Sequence, residues 1–322
     1  MSGHLVERIG EALQSAHRIL LATHLRPDGD AIGSLVGLGL ALLEGGKSVQ
    51  MVLDDGLPAQ FQHLRGAEQI RRNIEGRFDL AVALDCSDRS RLGRFGQEIE
   101  EWDLNIDHHV TNSSYARINL IEVEAVATAE IVATNLERWG FQISKSVADA
   151  LLLGILTDTI GFRTHNMRPD VLRLAAKLMD AGGDLPNLYA RYLYQKPFEA
   201  VKMWGSGLSR LRRKNGLVWT VLTNQDRSSA GYPGKDDADM INLLSAIEDA
   251  QISVVFVEQP NGKVKVSWRA VPGLDVSQIA VHFGGGGHPA AAGAELSGDL
   301  QELYEAVLEK TYLHLEANQK DS

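Results

Sequence analysis

Three short apolar runs in this chain stop abruptly on acidic or histidine residues. Ile19–Thr23 runs into His24-Leu25-Arg26-Pro27-Asp28-Gly29-Asp30, Leu80–Leu84 into Asp85, and Leu104–Ile106 into Asp107-His108-His109. Apolar runs this short read as strands buried on both faces, as in parallel sheets. Val49–Leu53 is a further run of the same kind. Longer stretches of helical tendency alternate with them: Ser34–Leu43 before Gly45-Gly46, Ala127–Trp139 closed by Gly140, Val147–Leu156, and Val171–Ala181 before Gly182-Gly183. Alternating strands and helices predict an α/β fold, a parallel sheet with helices on both faces.

At 322 residues the chain exceeds what one core usually organises, which predicts more than one domain. Its character changes in 186–215, where Tyr189, Tyr192, Tyr194, Pro197 and Trp204 precede the basic run Arg210, Arg212, Arg213 and Lys214. This segment reads as a largely helical connector, with the basic run as a solvated helix end. A smaller α/β domain is expected over 216–322, beginning with a strand at Leu217–Leu222 and a helix at Asp239–Ala250. A hairpin follows, Ile252–Glu258 and Lys263–Ala270 around Asn261-Gly262, a dipeptide suited to two positive-φ turn positions. The catalytic part is then 1–185.

Composition narrows the function. The formal net charge is −10, whereas proteins that coat long nucleic acid usually carry a basic surface. Short or small anionic substrates are expected instead, with no long duplex nucleic acid among the partners. No apolar run approaches a membrane span of about 20 residues, and no basic-then-apolar signal is visible at the start, so a cytoplasmic location without membrane contact is expected. Cys86 is the single cysteine, which excludes an internal disulfide and a cysteine-rich zinc site; it reads as a small buried hydrophobe. The sequence leaves the oligomeric state open, a homodimer included.

In open α/β sheets the ligand crevice lies outside the carboxyl ends of the strands. His24, Asp28, Asp30, Asp85 and His108 follow strands, and Asp158 closes the helical run Leu151–Leu156, so all six can converge. Four carboxylates and two imidazoles suit Mn²⁺, Fe²⁺ or Co²⁺. So many carboxylates in one cavity repel each other unless cations compensate, and two divalent ions would do so. Mn²⁺ is the expected metal, with Mg²⁺, Co²⁺ or Fe²⁺ as alternatives.

Taken together, His24-x-x-x-Asp28-x-Asp30-Ala31, Asp85, Asp107-His108-His109 and Thr157-Asp158-Thr159 with Gly161-Phe162-Arg163 resemble the motifs of the DHH phosphoesterase superfamily. Gly284-Gly285-Gly286-Gly287-His288, followed by Ala290-Ala291-Ala292-Gly293, resembles the signature of its DHHA1 domain. The combination is most similar to the NrnA-type nanoRNase and phosphoadenosine-phosphate phosphatase group, related to the RecJ exonucleases. That resemblance implies His24, Asp28 and Asp85 on one ion. It implies Asp30, Asp85, His108 and Asp158 on the other, with Asp85 shared. Asp107 would orient a ligand and His109 would face the substrate phosphate. Arg163, Arg269, Gly284, Gly285, Gly286, Gly287 and His288 would hold the nucleotide's phosphates. The implied activity is hydrolysis of short RNA oligonucleotides to mononucleotides, with removal of the 3′-phosphate from adenosine 3′,5′-bisphosphate. A cyclic or linear dinucleotide phosphodiesterase is the alternative, and a non-catalytic nucleotide-binding regulator is a more distant one.

Each motif also has a plainer reading. Pro27-Asp28-Gly29-Asp30 is good turn chemistry, and Asp85 alone is a common strand-end residue. Arg89 and Arg91 read as solvated loop charges. The glycine run reads as a backbone nest that approaches phosphate closely, and Gly37 and Gly39 as packing positions within a helix.

Overall fold

The first apolar run forms β1 (Arg18–Ala22), between helices α1 (Ser2–Ser15) and α2 (Gly29–Glu44). The computed structural model describes residues 2–320 and divides them at Gln195 and Lys196 into two units. In the first unit β2 (Ser48–Val52), β3 (Leu80–Leu84), β4 (Leu104–Asp107) and β5 (Ile118–Ile121) join β1 in a wholly parallel sheet of order β2-β1-β3-β4-β5. The remaining helices of this unit are α3 (Phe95–Glu98), α4 (Thr128–Asn135), α5 (Lys145–Asp158), α6 (Pro169–Asp180) and α7 (Leu185–Tyr189). Strand alternation feeds two cores. Ile19, Leu21, Val82 and Leu84 pack with α2, α4 and α5, whereas Leu20, Ala22, Ala81 and Ala83 pack with Phe95 and Trp102 on the opposite face.

The strand order reverses direction between β1 and β3, so the crevice at their carboxyl ends is the topological switch point of the sheet. His24 and Asp85 lie there, and Asp107 ends the next strand. Helix α2 is buried from Gly29 to Leu42 and lies directly on α5. A Cβ at Gly33 would stand 2.6 Å from the backbone nitrogen of Gly154, and one at Gly154 would stand 2.8 Å from Oδ1 of Asp30. These two glycines let the backbones touch, and that contact brings Asp30 on α2 beside Asp158 on α5.

The second unit holds α8 (Phe198–Ser209), β6 (Arg212–Lys214), β7 (Leu217–Leu222), α9 (Asn224–Ala230), α10 (Met240–Leu244), β8 (Ile252–Glu258) and β9 (Lys263–Ala270). It ends with α11 (Ser277–His282), β10 (Gly286–His288), β11 (Ala291–Ser297) and α12 (Leu300–Lys320). Its mixed sheet has the order β10-β11-β9-β8-β7-β6, with β7 and β8 parallel and the other pairs antiparallel.

Several sequence expectations need correction. Only the start of the basic run is a helix end: Arg210 is the C-cap of α8, whereas Arg212, Arg213 and Lys214 form edge strand β6, paired with β7. The helix expected over 239–250 stops at Leu244, and Asp249 takes a positive φ of 63° that a helix cannot contain. The helix expected over 127–139 is regular only from Thr128 to Asn135. The second half of the glycine run is strand and not a nest. Gly286, Gly287 and His288 are strand β10, in register with Gly293, Ala292 and Ala291. A Cβ at Gly287 would meet the Ala291 carbonyl oxygen at 2.5 Å, and its φ of 145° is one that favours glycine.

Candidate metal centre

Asp28 is the N-cap of α2. Its Oδ1 accepts from the N–H groups of Asp30 and Ala31 at 3.1 and 3.0 Å. Capping fixes the side chain and leaves Oδ2 facing His24 Nε2 at 4.0 Å. His24 is turned by a contact between its Nδ1 and the Leu25 carbonyl at 2.8 Å, which directs Nε2 to Asp85 Oδ2 at 3.5 Å.

Asp85 follows β3 with a positive φ of 51°, a costly conformation for a residue with a side chain, and its N–H donates to the Ile106 carbonyl. The bend places the carboxylate between two sets of donors. Oδ2 faces His24, and Oδ1 faces His108 Nε2 at 3.8 Å and His109 Nδ1 at 3.6 Å. His108 is held by the Ala125 carbonyl through Nδ1, and its Nε2 also lies 3.8 Å from Asp30 Oδ2 and 3.5 Å from Asp158 Oδ2.

Two residues that sequence reasoning missed shape this cluster. Helix α4 begins on Ala127, which has no capping side chain, so the backbone N–H groups of Thr128 and Ala129 lack the usual local acceptor. Both carboxylate oxygens of Asp30 take them, at 2.6 and 2.9 Å. The Thr128 hydroxyl, fully buried, donates to Asp85 Oδ1 at 3.1 Å. In the sequence, Thr-Ala-Glu at 128–130 looks like an ordinary helix start, and only the fold shows what its first turn contacts. Asn112 is the other: it donates to Asp107 Oδ2 at 2.5 Å.

Asp107 is wholly buried and accepts both His109 Nδ1 at 2.7 Å and the backbone N–H of His108 at 2.8 Å, so it helps to orient the two histidines. Burial pulls the His109 pKa down. The hydrogen bond and charge of Asp107, with the charge of Asp85, outweigh that and bring it up to about 8.

The donor set fits divalent cations. His24, Asp28 and Asp85 present ligand atoms within 4.8 Å of one another, as do Asp30, His108 and Asp158, and Asp85, His108 and His109. Nitrogen–oxygen separations of 3.5–4.0 Å are too long for hydrogen bonds. Two ligands each about 2.1 Å from a shared ion stand roughly 3.4 Å apart at tetrahedral angles. The electrostatics agree. Burial, then the charges of Asp85, Asp158 and Asp28, push the Asp30 carboxyl well above the usual range. Burial likewise lifts Asp158 to about 6. Burial also works against the Asp85 carboxylate, but His24, His109 and His108 hold its pKa below normal.

The six expected ligands thus come together. Arg163 does not share their enclosure: it is exposed, five residues past Asp158, and ties back through its N–H to the Thr159 carbonyl. In the second unit Arg269 lies on β9, its pKa lowered by burial and opposed by the charges of Asp237 and Asp239; Nη1 donates to the Trp268 carbonyl. Cys86 is fully buried and its thiol is pushed up to about 12 by burial, which suits a packing role.

Fold and site define an α/β protein whose clustered acidic and histidine side chains can hold divalent cations at a sheet's switch point. The sequence model described as the DHH family, N-terminal domain, matches residues 18–155, and that of the DHHA1 domain matches residues 215–312. The chain is 37% identical over 295 residues to a bifunctional oligoribonuclease and PAP phosphatase NrnA of Thermus thermophilus, covering 90% of this chain and 88% of the relative. A protein of the same description from Mycoplasma genitalium is 26% identical over 306 residues, 93% and 94% of the two chains. The crystal structure of an exopolyphosphatase-related protein from Bacteroides fragilis aligns with a TM-score of 0.89 at 24% identity, covering 98% of this chain and 96% of the other. The chain belongs to the DHH family and carries the DHHA1 domain.

Proposed function

We propose that this protein is a metal-dependent phosphoesterase that hydrolyses short RNA oligonucleotides to mononucleotides and removes the 3′-phosphate of adenosine 3′,5′-bisphosphate. The observation that carries the reading is the divided Asp85 carboxylate, one oxygen turned to His24 and the other to His108 and His109. The substrate class rests on the Thermus relative, whose description names an oligoribonuclease and PAP phosphatase.

His24, Asp28 and Asp85 would hold one ion, and Asp30, Asp85, His108 and Asp158 a second. Mixed carboxylate and imidazole donors suit Mn²⁺, the metal proposed, and also Co²⁺ or Fe²⁺, with Mg²⁺ a weaker fit because of the nitrogen ligands. When bound, two divalent ions supply the positive charge that an in-line displacement at phosphorus needs at its attacking and leaving oxygens. His109 has its Nδ1 engaged by Asp107, which leaves Nε2–H as the donor toward a phosphate oxygen. The hydrogen bond to the buried Asp107 carboxylate favours the protonated imidazole, which can pass a proton to the departing oxygen. Thr128 and the first amides of α4 keep Asp30 and Asp85 from rotating out of place. Arg163, Arg269, His288 and Gly284 to Gly287 are proposed phosphate contacts.

Purified protein supplied with Mn²⁺ should cleave di- to pentanucleotides and the bisphosphate, and lose both activities after chelation and dialysis. Turnover of cyclic dinucleotides alone would move the assignment to the dinucleotide phosphodiesterases. Full activity after exhaustive chelation would overturn the metal-dependent reading.

A further inference from the structure

Among the described residues of the first unit, three arginines are half-buried: Arg89, Arg91 and Arg168. Two are accounted for by their partners. Arg89 donates from Nε to the Gly96 carbonyl at 2.5 Å and from Nη2 to the Ile99 carbonyl at 2.6 Å. Arg168 is paired with Glu130 and the Glu124 carbonyl. Arg91 makes no side-chain hydrogen bond and no ion pair among the described residues. The donors of Arg91 are thus neither taken up by the protein nor fully buried, which leaves them open to a group arriving from outside.

The location of Arg91 is specific. It lies in the 3₁₀ turn Arg89–Leu92, six residues past Asp85, and its carbonyl accepts the N–H of Leu25 at 2.7 Å, next to His24. Its positive charge also opposes protonation of His109 and helps hold the neighbouring Asp88 carboxyl low. Arg91 therefore stands beside the His24 loop with its charge felt at His109, and it is not one of the carboxylate and imidazole donors.

We infer that Arg91 binds a second phosphate of the substrate, one nucleoside away from the bond that is cut. The inference rests on the phosphoesterase reading and deepens it. The scissile phosphate already has the metal donors and His109. A guanidinium forks onto the oxygens of a terminal phosphate with two parallel hydrogen bonds, the geometry that distinguishes arginine from a point charge. Adenosine 3′,5′-bisphosphate and 5′-phosphorylated dinucleotides share this second phosphate. Adenosine 3′-monophosphate and 5′-hydroxyl dinucleotides lack it.

The test is calorimetric titration of adenosine 3′,5′-bisphosphate and adenosine 3′-monophosphate into wild type, Arg91→Met and Arg91→Lys, each in Ca²⁺. Arg91→Met keeps the apolar stem of the side chain. It should weaken the bisphosphate about 10–100-fold more than the monophosphate, the scale of a charge-assisted hydrogen-bond pair. Arg91→Lys should recover part of that difference, and the kcat/KM ratio of 5′-phosphorylated to 5′-hydroxyl dinucleotide in Mn²⁺ should fall in parallel. Equal weakening of both ligands, or of neither, overturns the assignment. Failure of wild type to hydrolyse any of these compounds sinks the proposed function, while the titration ratio still decides the role of Arg91.

Discussion

Thr128 donates its hydroxyl to Asp85 Oδ1 at 3.1 Å, although 43 residues separate the two in sequence. This bond sets the roll of the Asp85 carboxylate and so decides which oxygen faces which histidine. Removing the donor at constant volume should matter more than its small size suggests. Thr128→Val should bind metal about 10–100-fold more weakly, the usual cost of losing a group that orients a ligand, and Thr128→Ser should restore most of the affinity. Titration calorimetry with Mn²⁺ reads this directly. Wild-type affinity in the valine variant would contradict it.

Asp85→Asn separates chemistry from folding. Asparagine tolerates the positive φ that this position requires, so circular dichroism of the metal-free variant should match wild type. Its amide is a poor ligand, and Mn²⁺ content and turnover should both collapse. A variant that unfolds would mean that the carboxylate is needed for the bend itself.

The adjacent histidines should divide their roles. His108→Ala should reduce metal content and rate together, because Nε2 of His108 faces Asp30, Asp85 and Asp158. His109→Ala should retain the metal and lose about 10²–10⁴ in rate, the range for a positioned proton donor. Equal metal loss in both variants would refute the division.

The Asp158 carboxyl, lifted to about 6 mainly by burial, gives a pH signature in metal-free protein. A folded pKa above the unfolded value means that the folded state binds the proton more tightly. Stability is therefore gained as pH falls from about 6 toward 4, and the penalty for ionisation is fully present above 6. Asp158→Asn removes the penalty. In EDTA it should stabilise the protein at pH 7.5 by on the order of 1 kcal/mol, allowing for partial exposure of the side chain, and do little at pH 4. With Mn²⁺ bound the sign should reverse, because a ligand has been lost. Thermal melts at the two pH values, with and without metal, check all four cases.

The buried strands and the residues that follow them were legible because apolar runs ending on charged groups have few other uses. The strands at Leu80–Leu84, Leu217–Leu222, Ile252–Glu258 and Lys263–Ala270 match the sequence reading residue for residue. Arg212–Lys214 was illegible because a three-residue edge strand made of basic side chains owes its conformation to pairing with β7, a tertiary effect that overrides local preference. The support that α4 gives Asp30 was hidden for a related reason. Backbone amides carry no residue signature, and the acceptor comes from a helix 98 residues away. What the sequence could not show for Arg91 is its place beside the His24 loop, fixed by the bond from the Leu25 N–H to its carbonyl.

The backbone contact between Gly33 and Gly154 has a thermodynamic consequence. Helices α2 and α5 are locked at a separation set by glycine, and each delivers a carboxylate, Asp30 or Asp158, to the same spot. The coordination sphere is thus assembled by the framework and not by the ions. Metal uptake should proceed with a heat-capacity change near zero and no gain in ellipticity, in contrast to proteins that fold around their metal. A methyl group at either glycine would wedge the two helices apart and turn a rigid receptor into one that must contract before it can load.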